Sequence, residues 1–472
     1  MSEDETPWKR LLRELFGDDA DAALEELERM GMDPQALAQA SGMLANPAMM
    51  DHVLSQIRSL VSQSQGEDVN WTLAHDVARG VAAQGGDPSV TAQVAATHRA
   101  AVSSAELWLD AVTDFDPSPL EPRVWSRAEW VEGTMPTWRV LAGPIATSVS
   151  QALGRILTSE DATAHLGGEA SGIVGSVSPT VTGMHVGQAA GQMAREAFGI
   201  TDLGFPLLAE PRVVMVPSAV SEFAAGLGVP DEEVRAYLAL REAAHVRLFS
   251  AAPWLPGHLH NLIERYAAGI SIDLEALDEA VRDAGFTEPA KLQEALTTGI
   301  FATHHSDEQR ETLGSIETLL ALIEGWVQEV TLRAAAPHVP SIGALREMMR
   351  RRRASGGPAE DTFATLLGLE LRPRRLRDAA TLWATLGQQA GAERRDAVWS
   401  HPDMLPPAAA LDDPHAWVTM LLGGAVADDV DRELEALLSS AADGGVSGDD
   451  GDGTQASGDD RGHERPGDGD ER

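Results

Sequence analysis

Cysteine is absent from all 472 residues of the chain, and this absence removes several kinds of chemistry together. Disulfide bonds, thiolate metal sites and cysteine nucleophiles all need that sulfur, so none of them can occur. The patterns of a serine-hydrolase elbow, a phosphate-binding loop and a dinucleotide-binding turn are missing as well. Histidine, aspartate and glutamate remain as the strong metal ligands.

Positive charge is also scarce. The chain has 73 acidic residues against 36 lysines and arginines, which gives a formal net charge of −37, and lysine occurs only at Lys9 and Lys291. Sequence-independent binding to nucleic acid requires a basic footprint. This class of function is therefore excluded, and the acidic surface is expected to serve solubility.

Long apolar runs are missing too. No stretch of the sequence approaches the roughly 18 uninterrupted apolar residues that a membrane helix needs. The first eight residues are polar and acidic, without the basic and apolar regions of a secretory signal. We therefore expect no membrane partner and a cytoplasmic location.

The most informative feature that is present is the segment Arg241-Glu242-Ala243-Ala244-His245. It has the form of the zinc-protease helix signature H-E-x-x-H, with arginine in place of the first histidine. In the intact signature both histidines bind zinc, and the glutamate takes a proton from the metal-bound water. Arginine has only donors and stays protonated, so Arg241 cannot ligate a cation. The pattern indicates a metalloprotease scaffold with altered metal chemistry.

Elsewhere the apolar spacing predicts a mainly α fold. Helices are expected over residues 8–44, 47–62, 70–80 and 91–114. Two further helices are expected to begin at capping boxes, because the spacing typical of this motif occurs at Ser126 with Glu129 and at Ser306 with Gln309. The signature helix should begin at Pro230 and Asp231 and end near Phe249, with a turn at 254–259 before a helix to Ala268. The valine-rich segment Arg212–Val216 is the clearest strand candidate.

We divide the chain into four regions. Residues 1–120 form a helical N-terminal region, and 121–349 form a zincin-like helical core with a small β element. A basic linker at 350–358 opens a helical C-terminal region over 350–442. Residues 443–472, rich in Gly, Ser and Asp, form an acidic tail that has too few apolar residues to fold.

Three glycines, Gly183, Gly187 and Gly191, recur at four-residue spacing. Glycines on one helical face allow close backbone approach. This spacing can mark a membrane dimer, but polar neighbours such as His185 and Arg195 favour tight packing between helices outside a membrane.

Glu324 is a carboxylate inside the apolar run Leu319–Trp326. A glutamate among leucines is costly unless it is paired or ligating, although it can also lie on the polar face of an ordinary helix. His245 alone would be a satisfied core histidine. Among the other histidines, His258 is expected to be buried and hydrogen-bonded, and His304 and His305 to be solvated loop residues.

Several segments together carry a resemblance to a known family. They are Leu240–Phe249, Pro253–Leu255, His258–Leu259, Ala321–Gly325, Arg372–Asp378 and Gly391–Asp396. In these segments the chain resembles the actinobacterial zincin-like metallopeptidase family, whose members are named as hydrolases or zinc-dependent metalloproteases. The resemblance implies that Glu242 is the general base, His245 a zinc ligand and Glu324 a further zinc ligand. Arg241 departs from the pattern at the first ligand.

Two hypotheses follow. In the first, the protein is a zinc-dependent hydrolase in which His245, Glu324 and a third ligand hold the metal while Glu242 activates water. In the second, it is a metal-free pseudoenzyme that binds a peptide or protein partner. There the guanidinium of Arg241 takes the place of zinc and pairs with Glu242 or Glu324. Nothing in the sequence predicts the substrate or the oligomeric state.

Overall fold

The computed structural model describes residues 67–157, 179–270, 306–354 and 373–423. The predicted helices at 8–44 and 47–62, the tail at 443–472, and His304 and His305 lie outside these residues. Described residues up to Val418 belong to one compact unit, and those from Thr419 on belong to another. The four-region division of the chain stays a prediction.

Helices dominate the described residues, as the sequence predicts. The helices and strands, in chain order, are α1 Trp71–Ala82, α2 Ala92–Leu109, β1 Arg123–Val124, α3 Arg127–Leu157, α4 179–196, β2 Val214–Met215, α5 Pro217–Ala224, α6 Asp231–Ala251, α7 Leu255–Ala268, α8 Asp307–Ala335, α9 Ile342–Ala354, α10 Pro373–Ala397 and α11 414–423. Short 3-10 helices at Val398–Ser400, Pro402–Met404 and Ala408–Leu411 follow α10, which is broken at Gly391 (φ +84°). None of the helices in the described part of the chain has the length and apolar character that a bilayer crossing needs.

Side-chain caps fix where several helices begin. The Asn70 carboxamide accepts the Leu73 amide at 3.0 Å at the start of α1. Both predicted capping boxes are confirmed, because Ser126 and Glu129 bond reciprocally before α3, and Ser306 and Gln309 do so before α8. These local signals are strong because each satisfies amides that have no partner within the helix.

The β element is smaller than predicted. Strand β2 covers only Val214–Met215 of the five-residue candidate, and it pairs in parallel with β1. Pro217 begins α5 after a single intervening residue, Val216, and it limits the strand because proline favours the first turn of a helix. The result is a short pair of parallel strands that fixes the position of the chain ahead of the signature helix.

Two other predicted boundaries are wrong. Helix α7 begins at Leu255, so the predicted turn at 254–259 is mostly helical. Pro256 occupies its first turn, where a proline needs no amide partner. Residues 350–354 of the predicted linker at 350–358 are instead the last turn of α9, because Leu345 and Met349 bury one face of that helix, and the rest of the linker lies outside the described residues.

Close packing at the glycines of α4 is confirmed. A Cβ added at Gly187 would lie 2.5 Å from the Ala74 carbonyl oxygen of α1, and one at Gly183 would lie 2.5 Å from the Asn70 carbonyl oxygen. Side chains at these positions would hold the two helices apart. The glycines therefore serve contact between α4 and α1.

The signature helix α6 is the centre of the first unit. Its residues from Tyr237 to Phe249 are all buried, and it packs against α2, α5 and α8. A helix that is buried all round must find partners inside the protein for each of its charged side chains. The residues with charged side chains in this buried part of the helix are Arg241, Glu242 and Arg247.

Candidate functional site

Arg241 and His245 lie one turn apart on α6 and face Glu324 of α8. The Arg241 Nη2 donates to Glu324 Oε2 at 3.0 Å, and His245 Nε2 lies 3.0 Å from Glu324 Oε1. All three side chains are buried, with at most 9% of any of them exposed. The predicted pairing of Arg241 is thus made with Glu324.

A fourth residue, Arg353 of α9, completes this group. Its Nη2 donates to Glu324 Oε1 at 2.6 Å, and 17% of its side chain is exposed. We call Arg241, His245, Glu324 and Arg353 the Glu324 cluster. Sequence reasoning missed Arg353, although the spacing of Leu345 and Met349 could have extended α9 through it.

Both ring nitrogens of His245 face oxygen acceptors. Nδ1 lies 2.9 Å from the carbonyl oxygen of Arg241, and Nε2 lies 3.0 Å from Glu324 Oε1. A carbonyl oxygen and a carboxylate can only accept, so a ring nitrogen bonds to either of them only as an N–H donor. A nitrogen that donates in this way offers no lone pair to a metal.

The charges in the cluster act strongly on one another. Burial alone would raise the pKa of Glu324, but Arg353, Arg241 and His245 overcome it and lower that pKa well below its usual value. Burial alone would lower the pKa of Arg241, and the Glu324 carboxylate raises it instead. Glu324 is therefore an ionised carboxylate enclosed by cationic donors.

Glu242 points to a different set of partners. Its Oε1 accepts the Ile200 amide at 2.9 Å, its Oε2 accepts the Thr201 hydroxyl, and the Val214 backbone also hydrogen-bonds to it. A Cβ added at Gly199 would overlap its carboxyl carbon, so the side chain lies directly on that backbone. Glu242 thus ties α6 to the loop at 198–204 and to β2.

Burial and the neighbouring Asp202 raise the pKa of Glu242 to about 7, although its hydrogen bonds oppose the shift. Asp202 itself is held by the loop, since its Oδ2 accepts the amides of Phe198 and Gly199. The loop is anchored further where the Trp130 indole donates to the Gly199 carbonyl oxygen at 2.7 Å. Glu242 is therefore held by an anchored loop and lies beside the carboxylate of Asp202.

The remaining buried charge on α6, Arg247, is also paired. Its guanidinium donates to Glu106 at 2.6 Å and to Asp110 at 2.7 Å, and it is 1% exposed. These contacts join α6 to α2. Arg247 is therefore a structural residue.

His258 does not substitute for the missing ligand. It is half-buried, and its ring meets the edge of Trp254 at a centroid distance of 5.8 Å. The expectation that it is buried is wrong, because α7 begins early and places it on a partly exposed face.

The side chains of the Glu324 cluster do not provide the set of ligands that a zinc ion needs. A catalytic zinc site uses three protein ligands with a lone pair each. Here only His245 and Glu324 are of ligand type, both Glu324 oxygens are occupied by donors, and two guanidinium cations would repel a metal. Over the described ranges, no group of three or more histidine and carboxylate side chains is suited to a metal ion.

A crystal structure described as a "putative hydrolase with a novel fold", from Chloroflexus aurantiacus, matches with a TM-score of 0.54 and 19% identity, over 75% of this chain and 98% of that chain. At this identity the likeness concerns the fold alone. No curated protein matches the chain.

A family model described as zincin-like metallopeptidase matches residues 69–418. The match includes α6 with its signature segment, Glu324 and the last turn of α9. It spans well over half of the sequence, so the chain belongs to the zincin-like metallopeptidase family.

Proposed function

We propose that this protein is a metal-free member of its family, in which arginine holds the place of zinc, and that it acts by binding a peptide or protein partner. The observation that carries the proposal is the enclosure of Glu324 by Arg241, Arg353 and His245. Both carboxylate oxygens of Glu324, which could otherwise bind a metal, already contact nitrogen atoms of these three side chains.

Burying a charged side chain away from water costs free energy. An ionised glutamate that is 6% exposed needs a compensating cation, and zinc supplies one in an intact site. A guanidinium supplies the same charge permanently and adds directed hydrogen bonds. With Arg241 at the first ligand position, the fold keeps its buried carboxylate without keeping the metal.

The alternative is the zinc-dependent hydrolase, with Glu242 as general base. One observation favours it, since a carboxyl group with a pKa of about 7 suits proton transfer near neutral pH. However, the oxygens of Glu242 are held by Ile200 and Thr201, and a base must be within reach of the water it activates. We therefore assign Glu242 a structural role and rank the hydrolase second.

The proposed partner is a peptide or protein, because a net charge of −37 on this chain disfavours binding to nucleic acid. The cytoplasmic location expected from the sequence stays a prediction.

Restoring the missing ligand tests the proposal. We would titrate zinc into the native protein and into a double variant, Arg241→His with Arg353→Ala, by isothermal calorimetry. The double variant should bind about one zinc per chain and the native protein none, because the variant has two histidines and a carboxylate freed from its guanidiniums. Arg241→Gln with Arg353→Ala is the matched control, since it removes the same charges without adding a ligand.

Peptide hydrolysis is measured on the same samples. The native protein should show no zinc-dependent cleavage of an unfolded protein substrate. Tight zinc binding by the native protein that is lost in His245→Ala, accompanied by such cleavage, would return the function to the hydrolase.

A further inference from the structure

A groove of about 540 Å³ lies between α8, α9 and α10. Its lining includes no member of the Glu324 cluster. Helix α10 contributes Ala380, Thr381 and Ala384 to the groove, and these short side chains leave open space beside α8. Small residues on one face of α10 thus form part of the wall of the groove.

The carboxylates of this groove are already neutralised. Glu329 pairs with Arg333 at 2.6 Å, and Glu347 pairs with Arg350 at 2.7 Å and Arg351 at 2.8 Å. The acidic side chains of the groove thus have guanidinium partners and do not repel an anion strongly.

Two arginines of the groove remain without such partners. Arg346 of α9 and Arg377 of α10 are exposed, and within the residues that the structure describes neither has a carboxylate in ion-pair range. The two guanidiniums come from different helices and line the same hollow. Gln328 and Gln388 add amide groups to the lining.

We propose that this groove binds a ligand with two carboxylate groups, one paired with Arg346 and one with Arg377. Guanidinium presents a planar set of donors that matches a carboxylate in a bidentate manner. The volume falls within the roughly 300 to 1,000 Å³ that is usual for ligand sites. Two sources carry this chemistry, namely an acidic peptide segment and a free dicarboxylate.

The overall charge makes such binding selective. A protein with a net charge of −37 repels anions at most of its surface, so an acidic ligand is retained only where the local charge is positive. Non-specific attraction of an acidic ligand to the protein surface is therefore a poor explanation for any binding that is observed. The proposal goes beyond the metal question, because the groove and the cluster share no residue and each can fail alone.

Two probes test the site on the full 472-residue chain at about physiological salt. Fluorescein-labelled hexaglutamate is followed by anisotropy, with hexaglutamine as the uncharged control, and glutarate is followed by calorimetry. Saturable binding of hexaglutamate that is stronger than binding of glutarate identifies an acidic peptide as the source. Binding of glutarate alone identifies a free dicarboxylate.

Variants locate the site. Arg346→Gln and Arg377→Gln should each weaken binding by roughly tenfold or more, since each removes a charged hydrogen-bonding partner. Ala384→Leu should weaken it by filling the hollow at unchanged charge. Arg99→Gln, which removes an exposed guanidinium of α2, is the matched control and should leave binding unchanged.

Thermal melting of each variant verifies that the fold is intact, and the substitutions at exposed arginines should leave it so. The proposal is overturned if neither probe binds, if hexaglutamine binds as well as hexaglutamate, or if both groove variants bind like the parent. An equal loss in Arg99→Gln also overturns it, because the attraction would then be spread over the surface.

Discussion

The two buried glutamates of the site, Glu324 and Glu242, have opposite surroundings. Glu324 is enclosed by two guanidiniums and an imidazole, which lower its pKa well below the usual value. Glu242 lies against backbone amides, a hydroxyl and the carboxylate of Asp202, and its pKa rises to about 7. Burial is similar for the two, at 6% and 5% exposed. Neighbouring charge, not depth of burial, therefore decides which of the two carboxyl groups is ionised.

The largest expected effect is from removing the inner cation. Arg241→Ala leaves Glu324 with one fewer compensating charge in a buried site, and unfolding by urea should show a loss of about 3 to 5 kcal/mol. Arg99→Ala, at an exposed position of α2, provides the control and should unfold like the parent. A loss no greater than that of the control would mean that Glu324 does not depend on Arg241.

The second expected effect is a pH dependence of the free energy of unfolding, which arises from the carboxyl group of Glu242. Its folded pKa is raised from 4.5 to about 7, so the folded state binds the proton more tightly than the unfolded state. Its contribution to stability is fully present below about pH 4.5 and is lost as the pH rises through about 7, a change of about 3 kcal/mol. Because Glu242→Gln cannot ionise, its stability relative to the parent should improve over this window. A constant difference between the two proteins from pH 4.5 to 8 would contradict the assignment.

The sequence identified both glutamates but not their surroundings. H-E-x-x-H spacing located Glu242 and His245, and an isolated charge in an apolar run located Glu324, because these signals are local. Arg353 could be found only by extending α9 through a basic run that also resembles a linker. The contacts of Glu242 with Ile200 and Thr201 involve a loop more than forty residues earlier. The periodicity of apolar residues along the sequence does not indicate such a contact.

The helices themselves were largely predictable for the same reason. Capping boxes at Ser126 and Ser306 and glycine spacing in α4 act within a few residues, and the structure confirms them. The strand at 212–216 was overpredicted, since valine content indicates strand preference but Pro217 and the pairing partner β1 set its length. Tertiary context decides what local preference leaves open.

A smaller effect is expected from crowding Glu242. Gly199→Ala would force the new methyl group against the carboxyl group of Glu242, and overpacking of this kind costs about 1 to 3 kcal/mol. Gly257→Ala is the matched control, because a Cβ there meets nothing within 4 Å. Equal melting temperatures for the two variants would show that the loop adjusts freely around Glu242.

The smallest effect is expected at the outer cation. Arg353→Gln removes one charged hydrogen bond to Glu324, but its side chain is 17% exposed and water can replace part of the contact. We expect a loss of about 1 kcal/mol in urea unfolding. Arg350→Gln, which changes the solvated neighbour on α9, should have no measurable effect. A loss at Arg353 as large as that at Arg241 would make the two cations equivalent.

The most direct test of the account is the metal content of the purified native protein, measured by elemental analysis after exposure to zinc and dialysis. We expect far less than one zinc per chain, because the guanidiniums of Arg241 and Arg353 already neutralise Glu324. One zinc per chain, bound by His245 and Glu324 at about 2.0 to 2.2 Å, would contradict it.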